Sequence, residues 1–90
     1  MSLSRDDTAA IYAEHKACHE ERRWADLADL FRPDGVYQEP FFGHIEGRDA
    51  IRGFLVRSMS GLDDWEFPIQ WVVIDENRVV TQWLNRLPQR

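Results

Sequence analysis

Hydrophobic and polar residues alternate with a helical period over the first quarter of the chain. Residues 6–22 contain no glycine or proline, and Ser4 followed by Asp7 has the spacing of a capping box. On a helical wheel one less charged face holds Thr8, Ile11, Tyr12, His15, Cys18 and His19. The pattern predicts a first helix from about Asp6 to Arg22.

The next forty residues pack several short signals together. Apolar residues at helical spacing over residues 24–31 precede the turn sequence of residues 32–35, which predicts a short second helix with a firm stop. Residues 35–39 are β-prone and end at Pro40, so they predict a short strand that delivers Glu39 at its end. From Gly47 to Met59 the helical spacing returns, which predicts a third helix.

Residues 65–74 and 78–87 predict a β-hairpin, because both are rich in aromatic and β-branched residues and a polar turn separates them. Both faces of the first strand are apolar: Phe67, Ile69, Trp71 and Val73 alternate with Val72 and Ile74. A two- or four-residue turn places Gln82 on the Trp71 face and Thr81 with Trp83 on the other, and a three-residue turn reverses this. A sheet apolar on both faces needs two covers, so we expect self-association through the sheet.

Composition narrows the class of protein. Ninety residues suit one domain, and the net charge of −5, from eleven basic and sixteen acidic residues, disfavours a nucleic-acid partner. The single cysteine cannot form an internal disulfide, and the N-terminus has no long apolar run. These features predict a cytoplasmic protein with no membrane partner.

Glu39 is the leading candidate for acid–base chemistry. A carboxylate at a strand end, flanked by Tyr37, Phe41 and Phe42, is open to desolvation, which raises the proton affinity of such a group. The alternative is a solvated or hydrogen-bonded side chain that shapes the turn before Pro40.

His15 is the second candidate, because a histidine on the inner face of the first helix can donate or relay a proton. Tyr12 presents a phenol one turn away, and His44 is expected in a loop, either at the rim of a pocket or simply exposed. The alternative places His15 and Tyr12 in the packed interior. Four tryptophans either line an apolar ligand cavity or fill the core: Trp24, Trp65, Trp71 and Trp83.

Several other chemistries find little support in the sequence. His15 and His19 are four residues apart beside Cys18, yet no third ligand is apparent, so we expect no metal site. A buried thiol on an apolar helix face is usually inert. The sequence has no phosphate-binding glycine loop and no G-x-S-x-G elbow, so it does not favour a nucleotide-binding protein or a serine hydrolase.

Three segments in order give the chain its resemblance to a known family. They are WADLADLF at residues 24–31, PDGVYQEP at residues 33–40 and EGRDAI at residues 46–51. Their order is similar to the nuclear transport factor 2-like superfamily, in its SnoaL-like and ketosteroid-isomerase-like branch, over most of the chain up to Leu87.

The resemblance implies a single α+β domain over residues 1–90. Three N-terminal helices would pack on a cone-shaped, strongly curved antiparallel sheet with a cavity between them, commonly in homodimers. Since members of the family continue with further strands beyond the position of Arg90, the sheet is expected to be incomplete at the C-terminus.

The resemblance also implies site residues. Glu39-Pro40 falls where ketosteroid isomerases have an Asp-Pro whose carboxylate is the general base, and His15 falls where they place an oxyanion-donating tyrosine. This implies a cofactor-independent isomerase or cyclase for a small apolar carbonyl compound, with the ligand contacted by Tyr12, Trp24, Tyr37, Phe41, Phe42, His44, Trp71 and Trp83. The alternatives are a non-catalytic ligand-binding module and a dimerising structural domain.

Overall fold

Three helices and four strands make up the computed structural model, which describes residues 3–88. The helices are α1 (Arg5–Glu20), α2 (Trp24–Ala28) and α3 (Arg48–Met59), and the strands are β1 (Val36–Glu39), β2 (Gly43–Glu46), β3 (Ile69–Asp75) and β4 (Arg78–Trp83). The strands pair as two antiparallel hairpins, β1–β2 and β3–β4. This is an α+β fold, as predicted, whereas the cone shape and the cavity between helices and sheet stay predictions.

The chain divides into two compact units. In one unit, the N-terminal part of α1 packs with hairpin β3–β4, and the other unit is Cys18–Ser60. None of the helices within residues 3–88 is long and apolar enough to cross a membrane.

Helix α1 begins and ends with recognisable caps. The Asp7 amide donates to the Ser4 hydroxyl at 3.1 Å and the Ser4 amide donates to the Asp7 carboxylate at 3.2 Å, which confirms the predicted capping box. The helix ends at Glu20, two residues earlier than predicted, because Arg22 enters the left-handed region at φ 60°. The Arg23 amide then donates to the Cys18 carbonyl at 2.8 Å, which completes a Schellman motif. Arg22 takes the position in this motif that glycine usually has.

The unit Cys18–Ser60 has its own hydrophobic core. Its buried residues are Cys18, Leu27, Ala28, Ile51 and Leu55. They come from the end of α1, from α2 and from α3, and α2 packs mainly on α3. The connection to α3 is fastened by two bonds of Arg48, whose amide donates to the Pro33 carbonyl at 3.1 Å and whose Nε donates to the Phe31 carbonyl at 2.7 Å.

Strand β2 was not predicted from the sequence. It pairs with β1 from Val36 opposite Glu46 to Glu39 opposite Gly43, so residues 40–42 form the turn of a hairpin. Gly43 begins the strand at φ 86°, a conformation that glycine adopts without strain. Because of this pairing His44 lies in a strand rather than in the expected loop.

Hairpin β3–β4 forms as predicted, but β3 begins four residues later and β4 ends four residues earlier than expected. Asp75 pairs with Arg78, so the turn has two residues, and Glu76 takes a positive φ of 50°. Trp71 consequently lies opposite Gln82, on the same face of the hairpin.

A register shift near Gln70 changes the predicted face of one residue. Ile69 pairs with Trp83, whereas Trp71 pairs with Gln82, so β3 has one extra residue between these pairs. The predicted grouping of Ile69 with Trp71 on one face is therefore wrong, because a bulge reverses the alternation on one side of it. The face opposite Trp71 then holds Ile69, Val72, Ile74, Val79, Thr81 and Trp83.

Candidate functional site

A cleft between helix α1 and strand β4 is the first candidate site. It has a volume of about 280 Å³. Its lining comes from the start of the chain, from the inner face of α1, from the hairpin turn and from β4: Leu3, Thr8, Ile11, Tyr12, His15, Asn77, Val79 and Thr81. The lining combines aliphatic side chains with hydroxyl groups, an imidazole and an amide, which is typical of a site that fixes an apolar molecule by a few polar contacts.

Tyr12 and His15 lie side by side in this cleft. They are three residues apart in α1, which places them on neighbouring positions of one helix face. Their rings stack with centroids 5.6 Å apart and an interplanar angle of 20°. The sequence therefore predicted correctly that the two residues share a face of α1.

The hydroxyl of Tyr12 differs from the other hydroxyls of the cleft. It is buried and has no hydrogen-bond partner among residues 3–88. By contrast, the other two hydroxyls of the lining are both engaged, since Thr8 donates to the Ser4 carbonyl at 2.9 Å and Thr81 donates to the Trp71 carbonyl at 3.3 Å. A buried hydroxyl without a partner costs about 1–3 kcal/mol of stability, so it calls for a specific explanation.

A second depression lies at the turn of hairpin β1–β2. It is more open to solvent, has a volume of about 480 Å³ and is lined by Gln38, Glu39, Pro40, Gly43 and His44. The sequence prediction that Glu39 ends a strand beside Pro40 is confirmed by the end of β1.

Glu39 is held by the backbone of the turn. Its Oε2 accepts hydrogen bonds from the amides of Phe41 at 2.7 Å and of Phe42 at 2.6 Å. The sequence left two roles for Glu39, an acid–base group and a residue that shapes the turn. These two hydrogen bonds to turn amides are typical of the second role. Oε2 accepts both hydrogen bonds, so Oε1 is the oxygen that would take up a proton in an acid–base role.

The two phenylalanines of this turn are exposed to different extents. Phe41 is 91% exposed, whereas Phe42 is 69% exposed and meets the ring of Phe54 edge-on at a centroid distance of 5.4 Å. Among the described residues, neither phenylalanine lines the cleft beside α1.

His44 pairs with a neighbour on its own strand. Its Nε2 lies 2.8 Å from a carboxylate oxygen of Glu46, two residues along β2, and both side chains are largely exposed. Its cross-strand partner is Gln38. His44 both lines the depression and is exposed, so its role as a ligand contact stays a prediction.

Tyr37 packs in the core of its unit. Its ring lies 5.6 Å from that of Phe54 and 6.1 Å from that of Phe31, measured between centroids. Burial, and to a smaller extent the negative charge of Glu39, raise the pKa of the Tyr37 phenol above its ordinary value. Tyr37 is thus a neutral, half-buried group over the physiological range.

The tryptophans named for a ligand pocket lie in different surroundings. Trp24 packs against the core of Cys18–Ser60 and meets His19 edge-on at 5.8 Å. Trp71 is 46% exposed and Trp83 is 43% exposed, and Trp83 donates its indole hydrogen to Asn85 at 3.1 Å. Their role as ligand contacts stays a prediction.

Within residues 3–88 no group of three or more histidine, cysteine, aspartate or glutamate side chains is placed to hold an ion. Cys18 is fully buried, and His19 is 8% exposed.

Sequence reasoning missed the β4 side of the cleft. Asn77, Val79 and Thr81 were not proposed as site residues, although a two-residue turn already placed Thr81 on the face away from Trp71. The sequence placed Thr81 on this face only for a two- or four-residue turn. The length of the turn was therefore needed before the β4 side of the cleft could be predicted.

One comparison with known proteins identifies the chain's relatives. The family model described as SnoaL-like domain matches residues 10–89, which is most of the chain. No curated protein and no solved structure matches it significantly.

Proposed function

Because the chain belongs to the SnoaL-like domain family, within the nuclear transport factor 2-like superfamily, we propose that it binds a small, mostly apolar molecule. Domains of this family bind small ligands. Among the described residues we assign binding to the cleft between α1 and β4. The depression at the β1–β2 turn is the more open of the two.

The observation that carries this proposal is the combination of an apolar cleft with a buried, unsatisfied phenol. Apolar surface comes from Ile11, Val79 and Leu3. The Tyr12 hydroxyl can both donate and accept a hydrogen bond, and it has no hydrogen-bond partner among residues 3–88. A ligand oxygen that meets this hydroxyl removes the cost of leaving it unpaired. Apolar contact then supplies affinity, and the polar contact at Tyr12 fixes the orientation of the ligand.

The binding site can be mapped by NMR with 2-indanone as the probe. We expect saturable shifts of backbone amides in residues 8–15 and 77–81 of the ¹⁵N-labelled chain, because these segments line the cleft. Amides of residues 38–44 serve as the internal control for the other depression. Shifts confined to residues 38–44, or no saturable shift, would overturn the assignment of the cleft.

A second candidate function is acid–base catalysis at Glu39, as the family resemblance implies. It is favoured by one observation, the pair of backbone bonds that holds the Glu39 carboxylate in one orientation. A fixed carboxylate needs less reorganisation to accept a proton than a freely rotating one. Such a catalyst would work without a cofactor.

Deuterium exchange tests this second function directly. A base that removes protons beside a carbonyl speeds exchange of the α-hydrogens of 2-indanone in deuterated water. We expect Glu39→Gln to abolish the protein-catalysed part of this exchange, and Glu46→Gln, an exposed carboxylate on the paired strand, to preserve it. Equal exchange by wild type and Glu39→Gln would leave binding as the function.

A further inference from the structure

We infer that the outer edge of strand β4 pairs with the same edge of a second copy of the chain, antiparallel and about a two-fold axis at Thr81. This contact goes beyond the proposed ligand-binding function and does not depend on it. It also differs from self-association through a face of the sheet, because backbone hydrogen bonds in the plane of the sheet hold it together.

The backbone of β4 has one side that meets no strand. Of the strands within residues 3–88, only β3 pairs with β4. Just beyond β4, Arg86 and Glu66 exchange backbone hydrogen bonds of 2.8 and 3.0 Å, in line with the same pairing. Backbone groups of successive residues in a strand point to opposite sides, so even-numbered residues bond toward β3. The amides and carbonyls of Val79 and Thr81 therefore point to the open edge.

This open edge lacks the features that usually keep edge strands from pairing. Such features are prolines, bulges and charged side chains. Residues 79–85 contain no proline, glycine or charged residue, and the bulge of the hairpin lies in β3. The outer edge of β3, by contrast, carries that bulge and follows Pro68. The edge of β4 is therefore the one suited to accept another strand.

The sequence of β4 is self-complementary in one antiparallel register. Two identical strands that pair through the same edge are related by a two-fold axis, so each contact occurs twice. With the axis at Thr81, the two copies of Thr81 lie opposite each other, and Val79 lies opposite Trp83 of the partner subunit. Threonine pairs, and pairs of an aromatic with a β-branched residue, are cross-strand neighbours that stabilise sheets.

Charges beside β4 favour the same register. In this register Arg86 lies opposite Glu76 of the partner subunit, and both side chains are exposed in the single chain. Arg86 also forms an exposed ion pair with Glu66 of its own chain at 3.0 Å. An axis one residue further along, at Gln82, would place Arg78 opposite Arg86, and like charges directly opposite each other are destabilising. Charge complementarity thus favours a second copy, paired about Thr81.

A contact of this kind is small and therefore weak. One pair of short strands buries less than the roughly 1,200 Å² at which stable protein interfaces begin, so we expect pairing at about 1 mM and little of it at about 0.05 mM.

Amide hydrogen exchange measured by NMR tests the pairing residue by residue. The wild-type chain without ligand is compared at the two concentrations. The amides of Val79 and Thr81 should exchange at least about twofold more slowly in the concentrated sample, because pairing protects them. Val72 and Ile74, their cross-strand neighbours in β3, direct their amides to the other edge and are the matched control. Their exchange should be the same in both samples.

Opposite charges at Thr81 test the two-fold axis. Thr81→Lys and Thr81→Glu each place two like charges opposite each other, so each variant alone should lose the concentration dependence at Val79. An equimolar mixture of the two should regain it, because a lysine then meets a glutamate across the axis. Thr81→Val, which keeps an uncharged β-branched side chain, is the control and should pair as the wild type does.

Several results would overturn the inference. Exchange at Val79 and Thr81 that does not change with concentration would exclude a second copy at this edge, and equal protection of Val72 and Ile74 would exclude a specific edge. Loss of the dependence in both charged variants without recovery in their mixture would exclude the axis at Thr81. The wild-type comparison needs no substitution, so it decides even where the charged variants fold poorly. The ligand-binding proposal is decided separately, by the 2-indanone titration.

Discussion

Tyr12 and Glu39 show two opposite ways of holding a polar side chain. One carboxylate oxygen of Glu39 accepts two short bonds from the backbone, whereas the Tyr12 hydroxyl has no partner among residues 3–88. The first arrangement stabilises a turn, and the second stores a small cost that a ligand can remove. The candidate chemistry of the chain therefore depends on which of these side chains meets another molecule.

Replacing Glu39 tests its part in the turn. Glu39→Ala removes both charge-assisted bonds to the amides of Phe41 and Phe42, so we expect the free energy of unfolding to fall by about 1 kcal/mol. Glu39→Gln retains an oxygen acceptor and should lose less. Denaturant titration of the two variants gives the comparison, and an Ala variant as stable as wild type would show that the turn does not need the carboxylate.

Tyr37 gives the protein a dependence of stability on alkaline pH. Burial, assisted by the charge of Glu39, raises the pKa of this phenol in the folded state above the unfolded value of about 10. The folded state thus holds its proton more tightly, and this contribution is complete below pH about 10 and is lost as pH rises through the folded pKa.

We therefore expect the free energy of unfolding to fall above pH about 10. Tyr37→Phe should flatten that fall, because the variant has no phenol to titrate at this position. Denaturant titrations at a series of alkaline pH values provide the measurement. An equal fall in wild type and variant would assign the dependence to other groups.

Helix α3 holds the unit Cys18–Ser60 together through a narrow apolar stripe. Ile51 is fully buried and Leu55 is 6% exposed, one turn apart on the face that packs against α2. Val56 on the same helix is 48% exposed. The helix thus offers a buried and an exposed aliphatic position for direct comparison.

Truncating Ile51 should destabilise the protein far more than truncating Val56. Ile51→Ala leaves a cavity in a core of five buried residues, so we expect a loss of about 2–4 kcal/mol. Val56→Ala should change stability by less than about 0.5 kcal/mol. Denaturant unfolding of both variants measures the difference, and similar losses would mean that α3 is not packed through Ile51.

The helices were predictable from sequence, and one strand was not. Periodicity and caps placed α1 within two residues of its ends, and only the left-handed conformation of Arg22 shortened it. Strand β2 escaped because it has four residues, begins at a glycine and turns only Ile45 inward. So short an alternation is not distinguishable from a loop before its pairing with β1 is known.

The candidate site was predictable on one side. Spacing along α1 placed Tyr12 and His15 together, because helical neighbours follow from sequence alone. The residues on the β4 side of the cleft depend on the length of the turn at Glu76 and Asn77, because that length sets the register of the hairpin. The sequence was equally compatible with two registers. The missing partner of the Tyr12 hydroxyl is a property of three-dimensional packing, which no local pattern records.

Taken as a whole, the protein carries an apolar surface on one face of hairpin β3–β4. Trp71, Val73 and Val80 lie on this face and are 46%, 53% and 54% exposed. The homodimer predicted from sequence would cover such a face, and we keep it as a proposal. Apolar surface of this kind is typical of contact regions between proteins.

Charge placed on this face should prevent the proposed dimer from forming. We expect the wild-type chain to sediment as a dimer at micromolar concentration and Val73→Lys to sediment as a monomer, because a buried lysine without a partner is costly. Val56→Lys, on the exposed surface of α3, is the matched control and should stay dimeric. A monomeric wild type, or a dimeric Val73→Lys variant, would contradict dimerisation through the sheet.

The most direct test of the central claim is a crystal structure of the wild-type chain with 2-indanone. We expect the ketone in the cleft between α1 and β4, with its oxygen about 2.8 Å from the hydroxyl oxygen of Tyr12. Density for the ketone beside Glu39 and His44, or a bound ketone whose oxygen points away from Tyr12, would contradict it.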